Sequence, residues 1–254
     1  MPTWTLLCLS LVSTSPAAKL PLHPWAEPVS SDTTLLVLRN RAYDCGYSTR
    51  LKIPRWVTYA YLETGSGRTP RRGRFRPDPR LDPTSTAYDT DYLNSGYDRG
   101  HMAPDATIKV FGTEAQKETY YLTNIVPQRP EMNRGIWADI EARIREWAGP
   151  RDTVWAVVGP VWFGRQDTAW LGRSRVAIPH ACFAVVRRSR TNGMISFLVP
   201  NQPEPCSYRT PACYLVSVDS VERLTRLDLF PGLPRALAAR LESARPETLW
   251  RPRP

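Results

Sequence analysis

His101 stands in the run Asp98-Arg99-Gly100-His101-Met102-Ala103-Pro104, and further along Asn133 is followed eight residues later by Glu141. An imidazole with an ordinary pKa of about 6.5 accepts a proton at neutral pH, so a histidine among polar neighbours suits a general base. Asn and Glu supply oxygen donors of the kind that hold a hard divalent cation, directly or through its retained waters. Together these residue types describe metal-assisted hydrolysis. A zinc centre fits poorly, because the three histidines, His23, His101 and His180, are widely dispersed and no Cys-x-x-Cys pair occurs. His23, in a polar lead-in, and His180, after a proline beside a strand, read as structural. For Asn133 and Glu141 the plain alternatives are a helix N-cap and a solvated helix residue.

These residues need elements to hold them. Ile136, Ile140, Ile144 and Trp147 recur at helical spacing ahead of Gly149-Pro150, which predicts an amphipathic helix. If Asn133 opens it, Glu141 lies about 12 Å further along the axis and about 80° round it. That offset is too large for both to ligate one ion, and it predicts one direct ligand, Asn133, with Glu141 holding an ion-bound water. Residues 120–126 read as a buried strand ended by Pro127, 113–120 as a short helix, and 234–244 as a final helix opened by proline. Further strands are predicted at 35–38, 56–62, 153–158 (ending at Gly159-Pro160), 176–178, 182–186, 195–199 and 214–218, with a turn at 43–47 around Gly46. Residues 65–83 read as a loop that crowds Arg68, Arg71, Arg72, Arg74 and Arg76 together. Such a run is ordinarily a solvated face; its functional reading is delivery of an arginine to a phosphate.

A chain of 254 residues with 42% hydrophobic residues and nine Trp can bury the core of one α+β domain. No apolar run reaches the roughly 18 residues of a membrane span. Lys and Arg exceed Asp and Glu by 34 to 24, and the net charge of +10, mostly arginine, favours a polyanionic partner, with a genomic preference for Arg codons as the bland alternative. Residues 1–18 have the outline of a signal peptide, although no Lys or Arg precedes the apolar stretch; 19–34 read as a lead-in and 35–254 as a single domain. This predicts a secreted or periplasmic protein rather than a mitochondrial one, since no arginine precedes Arg39. Cleavage would leave Cys45, Cys182, Cys206 and Cys213, which fits one or two disulfides, Cys206 to Cys213 closing the shortest loop, or else buried free thiols.

The series 97–104, then Tyr121-Leu122-Thr123-Asn124-Ile125-Val126-Pro127-Gln128, then Asn133 with Glu141, resembles the DNA/RNA non-specific endonucleases, the sugar-non-specific, endonuclease G-like nucleases with an Asp-Arg-Gly-His motif. Ile53-Pro54-Arg55-Trp56-Val57, Phe75-Arg76-Pro77-Asp78-Pro79, Val158-Gly159-Pro160-Val161, Val176-Ala177-Ile178-Pro179 and Phe197-Leu198-Val199-Pro200-Asn201 extend the resemblance over about 36–228. It implies an α+β, ββα-metal (His-Me finger) fold, with a hairpin and a crossing helix set against a mixed or antiparallel sheet. It also implies roles: His101 as general base, Asn133 as the sole direct protein ligand of Mg²⁺ or Mn²⁺, and Glu141 as holder of the ion's water shell. Asp98 and Arg99 would support the histidine and the phosphate, and Asn124 would be a packing and hydrogen-bonding residue. An arginine upstream would clamp the phosphate, with Arg74 preferred over Arg72 and Arg76. The implied activity is endonucleolytic hydrolysis of DNA and RNA to 5′-phosphate products, in a family that includes monomers and homodimers. The alternatives are a catalytically silent nucleic-acid-binding relative, against which His101 and Asn133 both stand, and a small-substrate metal phosphodiesterase, against which the basic loop argues.

Overall fold

A computed structural model describes residues 27–62, 73–150, 152–164, 168–189, 191, 193–203 and 210–251. The expected leader at 1–18, Arg72 and Cys206 lie outside the described residues. The strands are β1 (Val29–Ser30), β2 (Leu36–Arg39), β3 (Tyr43–Ser48), β4 (Ile53–Tyr61), β5 (Asp98–His101), β6 (Ile125–Gln128), β7 (Val154–Val161), β8 (Trp170–Leu171), β9 (Val176–Ala177), β10 (Ala181–Arg188), β11 (Met194–Pro200), β12 (Leu215–Val216) and β13 (Leu227–Asp228). The α-helices are α1 (Asp105–Ile108), α2 (Thr113–Glu118), α3 (Ala138–Trp147), α4 (Val218–Thr225) and α5 (Arg235–Ser243).

Seven strands form one sheet in the order β12-β11-β10-β7-β4-β3-β2, antiparallel at every pairing. Its central strands are buried on both faces, which is why 154–158 and 182–186 read as unbroken apolar runs. Alternation sends Val154, Ala156 and Val158 of β7 to one face with Ile140, Ile144 and Trp147 of α3, and Trp155 and Val157 to the other with Val218 and Val221 of α4. The α3 face also carries β6 through Ile125 and Val126. A strap after α5 returns to that face: Trp147 donates from Nε1 to the carbonyl of Trp250 (3.0 Å), their rings meet edge to face at 5.0 Å, and Arg188 lies 4.8 Å over Trp250. Among the described residues no helix is long and apolar enough to cross a membrane.

Several elements differ from expectation, each for a local reason. The predicted turn at 43–47 is strand β3: a Cβ on Gly46 would come within 2.3 Å of the Trp56 indole, so glycine is there to let the ring cross, not to turn the chain. In the same way β7 runs through Gly159-Pro160, because a Cβ at 159 would press on the Arg55 carbonyl at 2.5 Å. The predicted strand 120–126 is a 3₁₀ turn, Leu122–Asn124, followed by β6, which passes through Pro127. The predicted strand 214–218 shortens to β12 and gives way at Val218 to α4, which was not foreseen. Val29–Ser30, inside the expected lead-in, pairs with Leu227–Asp228. Cys45 and Cys182 are buried, unbridged thiols, held protonated by burial that pushes both pKa values well up, so a second disulfide does not form among the described residues.

Candidate active site

β5 and β6 pair antiparallel, with Asp98 opposite Gln128, Gly100 opposite Val126 and His101 opposite Ile125. Alternation along β5 sends Arg99 and His101 to one side and Asp98 to the other. Gly100 is required between them, since a Cβ there would lie 2.1 Å from Oε1 of the buried Gln128.

The chain leaving His101 is held by Asn124. The Asn124 carbonyl accepts from the Met102 N–H (3.0 Å) and its Oδ1 from the Ala103 N–H (2.8 Å), while Nδ2 donates to the carbonyls of Ala103 (3.0 Å) and Thr119 (2.9 Å). Asn124 is fully buried, so this amide closes the turn after the histidine with every side-chain group in use. Phe75 and Tyr120 flank the imidazole, with centroids 5.3 and 5.2 Å away and Tyr120 edge-on. Arg99 donates from Nε to the Asp89 carboxylate and from Nη2 to the Asp89 carbonyl (2.8 Å), and its guanidinium lies 5.4 Å over Tyr92.

Asp98 does not support the histidine as expected. On the opposite side of the strand, its carboxylate accepts from Arg134 (2.6 and 2.8 Å) and from Nδ2 of Asn133 (2.9 Å). Partial burial works to raise the Asp98 pKa, but the hydrogen bonds from Arg134 and Asn133 outweigh it and the carboxyl lies below its ordinary value. With Nδ2 engaged there, Oδ1 is the Asn133 atom left to ligate a cation.

Asn133 is not an N-cap. It lies inside a π-helical turn, Met132–Trp137, that leads directly into α3, and Gly135 leaves helical angles there (φ −105°, ψ −109°). That kink at Gly135 breaks the regular helical relation between Asn133 and Glu141, whose ideal offset would be about 80°. The two side chains accordingly line one cleft of about 260 Å³ with Arg99, His101, Pro104, Asp105 and Ala106. Burial pushes the half-buried Glu141 carboxyl up to about 8, against the pull of Arg145 one turn on and of the Trp137 indole. Arg145 also reaches Thr107 Oγ1 (3.4 Å) on α1, beside the cleft.

The donor set fits a hard divalent cation: an amide oxygen, a carboxyl whose ionised form is only partly compensated by Arg145 and Trp137, and a second carboxylate oxygen, Asp105 Oδ1, that is buried with no hydrogen-bond partner among the described residues. Sequence reasoning passed over Asp105 and Arg145. Arg145 stands four residues after Glu141 and so shares its helix face, a spacing legible in the chain. Of the candidate phosphate clamps, Arg76 is committed elsewhere: its backbone bridges to Tyr121, and its guanidinium lies 4.6 Å over that ring and donates to the Lys117 carbonyl (3.3 Å). Arg74 is exposed, outside the lining of the cleft but next to Phe75.

Comparison with known proteins converges on one family. The model for DNA/RNA non-specific endonucleases matches residues 27–236. Nuclease EXOG of Xenopus laevis is 33% identical over 241 residues, covering 89% of this chain and 66% of its own, and human nuclease EXOG is 34% identical over 210 residues, covering 74% and 55%. The chain thus spans between about half and two thirds of the length of these relatives. The Serratia marcescens nuclease is 30% identical over 234 residues, covering 85% of this chain and 82% of its own. A chain of the crystal structure of the EndoG/EndoGI complex superposes with a TM-score of 0.71 at 28% identity, covering 78% of this chain and 87% of that one. With the site framed by β5, β6 and α3 and the match extending over most of its length, the chain belongs to the DNA/RNA non-specific endonuclease family.

Proposed function

We propose that the protein is a divalent-metal-dependent endonuclease that hydrolyses phosphodiester bonds of DNA and RNA without base preference, leaving 5′-phosphates. The observation that carries this reading is that Arg99 and His101 of β5, Asn133 of the turn before α3 and Glu141 of α3 share one cleft. Nuclease names among the relatives support the substrate class.

In this reading His101 takes the proton of the attacking water, its ring orientation set by Phe75 and Tyr120 and its backbone by Asn124. Arg99, fixed by Asp89 and Tyr92, faces the substrate phosphate; Arg74 follows the chain outward from Phe75, and Arg72 is the remaining candidate for the outer clamp. Asn133 Oδ1 is the protein ligand of Mg²⁺ or Mn²⁺, oriented by Asp98, and Glu141 orders the ion's waters. Bound there, the ion supplies positive charge against the negative charge that develops on the phosphate, and acidified water. The net charge of +10 suits backbone binding that weakens steeply with salt. Export, read from residues 1–18, belongs to the same proposal, and a homodimer is one of two assemblies open to it. Incubation with closed circular plasmid and with RNA, with Mg²⁺ or with EDTA, tests the proposal: cleavage of both with Mg²⁺ alone is expected, and undiminished cleavage in EDTA would overturn it.

A further inference from the structure

Most of the half-buried and buried aspartates among the described residues have a hydrogen-bond partner. Asp78 is held by Arg80 and Thr123, Asp91 by the N–H groups of Tyr88 and Ser174, Asp98 by Arg134 and Asn133, and Asp152 by Ser189. Asp105 differs: its Oδ1 is buried, accepts no hydrogen bond from the described residues, and belongs to a residue lining the cleft that holds His101, Asn133 and Glu141. A carboxylate oxygen removed from water without a donor or cation is costly, so this placement calls for a missing partner.

Its position is fixed. Asp105 follows Pro104 directly at the start of α1, and the turn before it, Met102 to Ala103, is clamped by the buried Asn124. The ordinary role for an acid in a helix's first turn, favourable interaction with the exposed N–H groups, is available from solvent and does not require an oxygen buried against this cleft. A divalent cation in the cleft supplies what the protein does not: positive charge to offset the Asp105 carboxylate and bound waters as donors to it.

We infer that Asp105 is a further holder of the divalent cation's water shell, setting the affinity of the site for the ion; this rests on the metal-dependent reading above. It is a positioning residue, since it acts through the ion's waters. Asp105→Asn keeps the size of the side chain and removes its charge, and Asp105→Ala removes both oxygens.

The test is direct Mn²⁺ binding to the full chain, without nucleic acid, by titration calorimetry or by loss of the free Mn²⁺ resonance signal. The wild type should bind at a site lost in Asn133→Ala. Both Asp105 variants should bind Mn²⁺ about tenfold or more weakly, the effect usual for groups that orient metal-bound atoms. Their metal-free melting temperatures should stay at or slightly above the wild-type value, because a buried carboxylate oxygen without a donor is gone. Wild-type affinity in Asp105→Asn and Asp105→Ala would overturn the inference and leave the metal-dependent reading standing. Failure of the wild type to show an Asn133-dependent Mn²⁺ site would overturn both.

Discussion

Replacing Asp98 with alanine separates two roles that the motif Asp98-Arg99-Gly100-His101 leaves indistinct. The carboxylate makes three hydrogen bonds, two to Arg134 and one to Asn133. Arg134 is 72% exposed, so solvent screens the pair and the stability loss should be a small part of the roughly 5–15 kcal/mol typical of a domain. The functional loss should be larger and specific. Freed from Asp98, the Asn133 amide no longer presents Oδ1 in one orientation, and removal of such an orienting partner ordinarily weakens metal affinity about 10- to 100-fold. Measured as plasmid nicking against Mg²⁺ concentration, the half-saturating Mg²⁺ should rise by that factor in Asp98→Ala, while kcat at saturating Mg²⁺ stays within a few-fold of wild type. The reasoning fails if half-saturation is unchanged and kcat falls with a displaced pH profile, because that pattern would mean that Asp98 acts on His101.

His101→Ala should abolish plasmid cleavage while leaving DNA retention in a gel shift largely intact; full cleavage by this variant would remove the imidazole from the mechanism. Asn124→Leu strands the Ala103 N–H and two carbonyls at about 1–3 kcal/mol each, so urea denaturation should show a loss of about 3 kcal/mol or more. Trp250→Ala should cost about 2 kcal/mol in the same assay, below the 3–5 kcal/mol typical of a fully buried ring, because the residue is half-buried; a loss under 0.5 kcal/mol, the usual range for surface changes, would mean that the strap does not hold α3. Burial works to raise the Asp78 pKa, but hydrogen bonds from Arg80 and Thr123 bring it below the ordinary value, so its contribution is present above the unfolded pKa of about 3.9 and is lost as pH falls through the lower folded value. The stability gap between wild type and Asp78→Asn should therefore be full near pH 7 and shrink below about pH 4; a gap constant with pH would discount the ionised form.

What the sequence disclosed, and what it hid, follows from the range over which each feature is determined. The period of Ile136, Ile140, Ile144 and Trp147 is local, and α3 follows it with three of these four residues inside the helix. Gly46 and Gly159 misled because a glycine that yields space to a distant partner, Trp56 in one case and the Arg55 carbonyl and Phe183 in the other, is written the same way as one that turns the chain. The site shows the same division. His101, Asn133 and Glu141 were visible as residue types, but their convergence depends on a single irregularity. Extended as a regular helix, the segment from Asn133 would point Glu141 about 80° away, and the two could not both ligate one ion. The kink at Gly135 interrupts that regular helix, and nothing within 4 Å would resist a Cβ on that glycine. Gly135→Ala therefore leaves packing alone and acts on the turn. If alanine draws the segment toward regular helix, Glu141 rotates off the cleft and half-saturating Mg²⁺ rises together with a gain in helicity. If activity, Mg²⁺ dependence and helicity all match wild type, the convergence is enforced by the anchors on either side, Asp98 on Asn133 and the buried Ile140 and Ile144 beside Glu141, and not by the glycine.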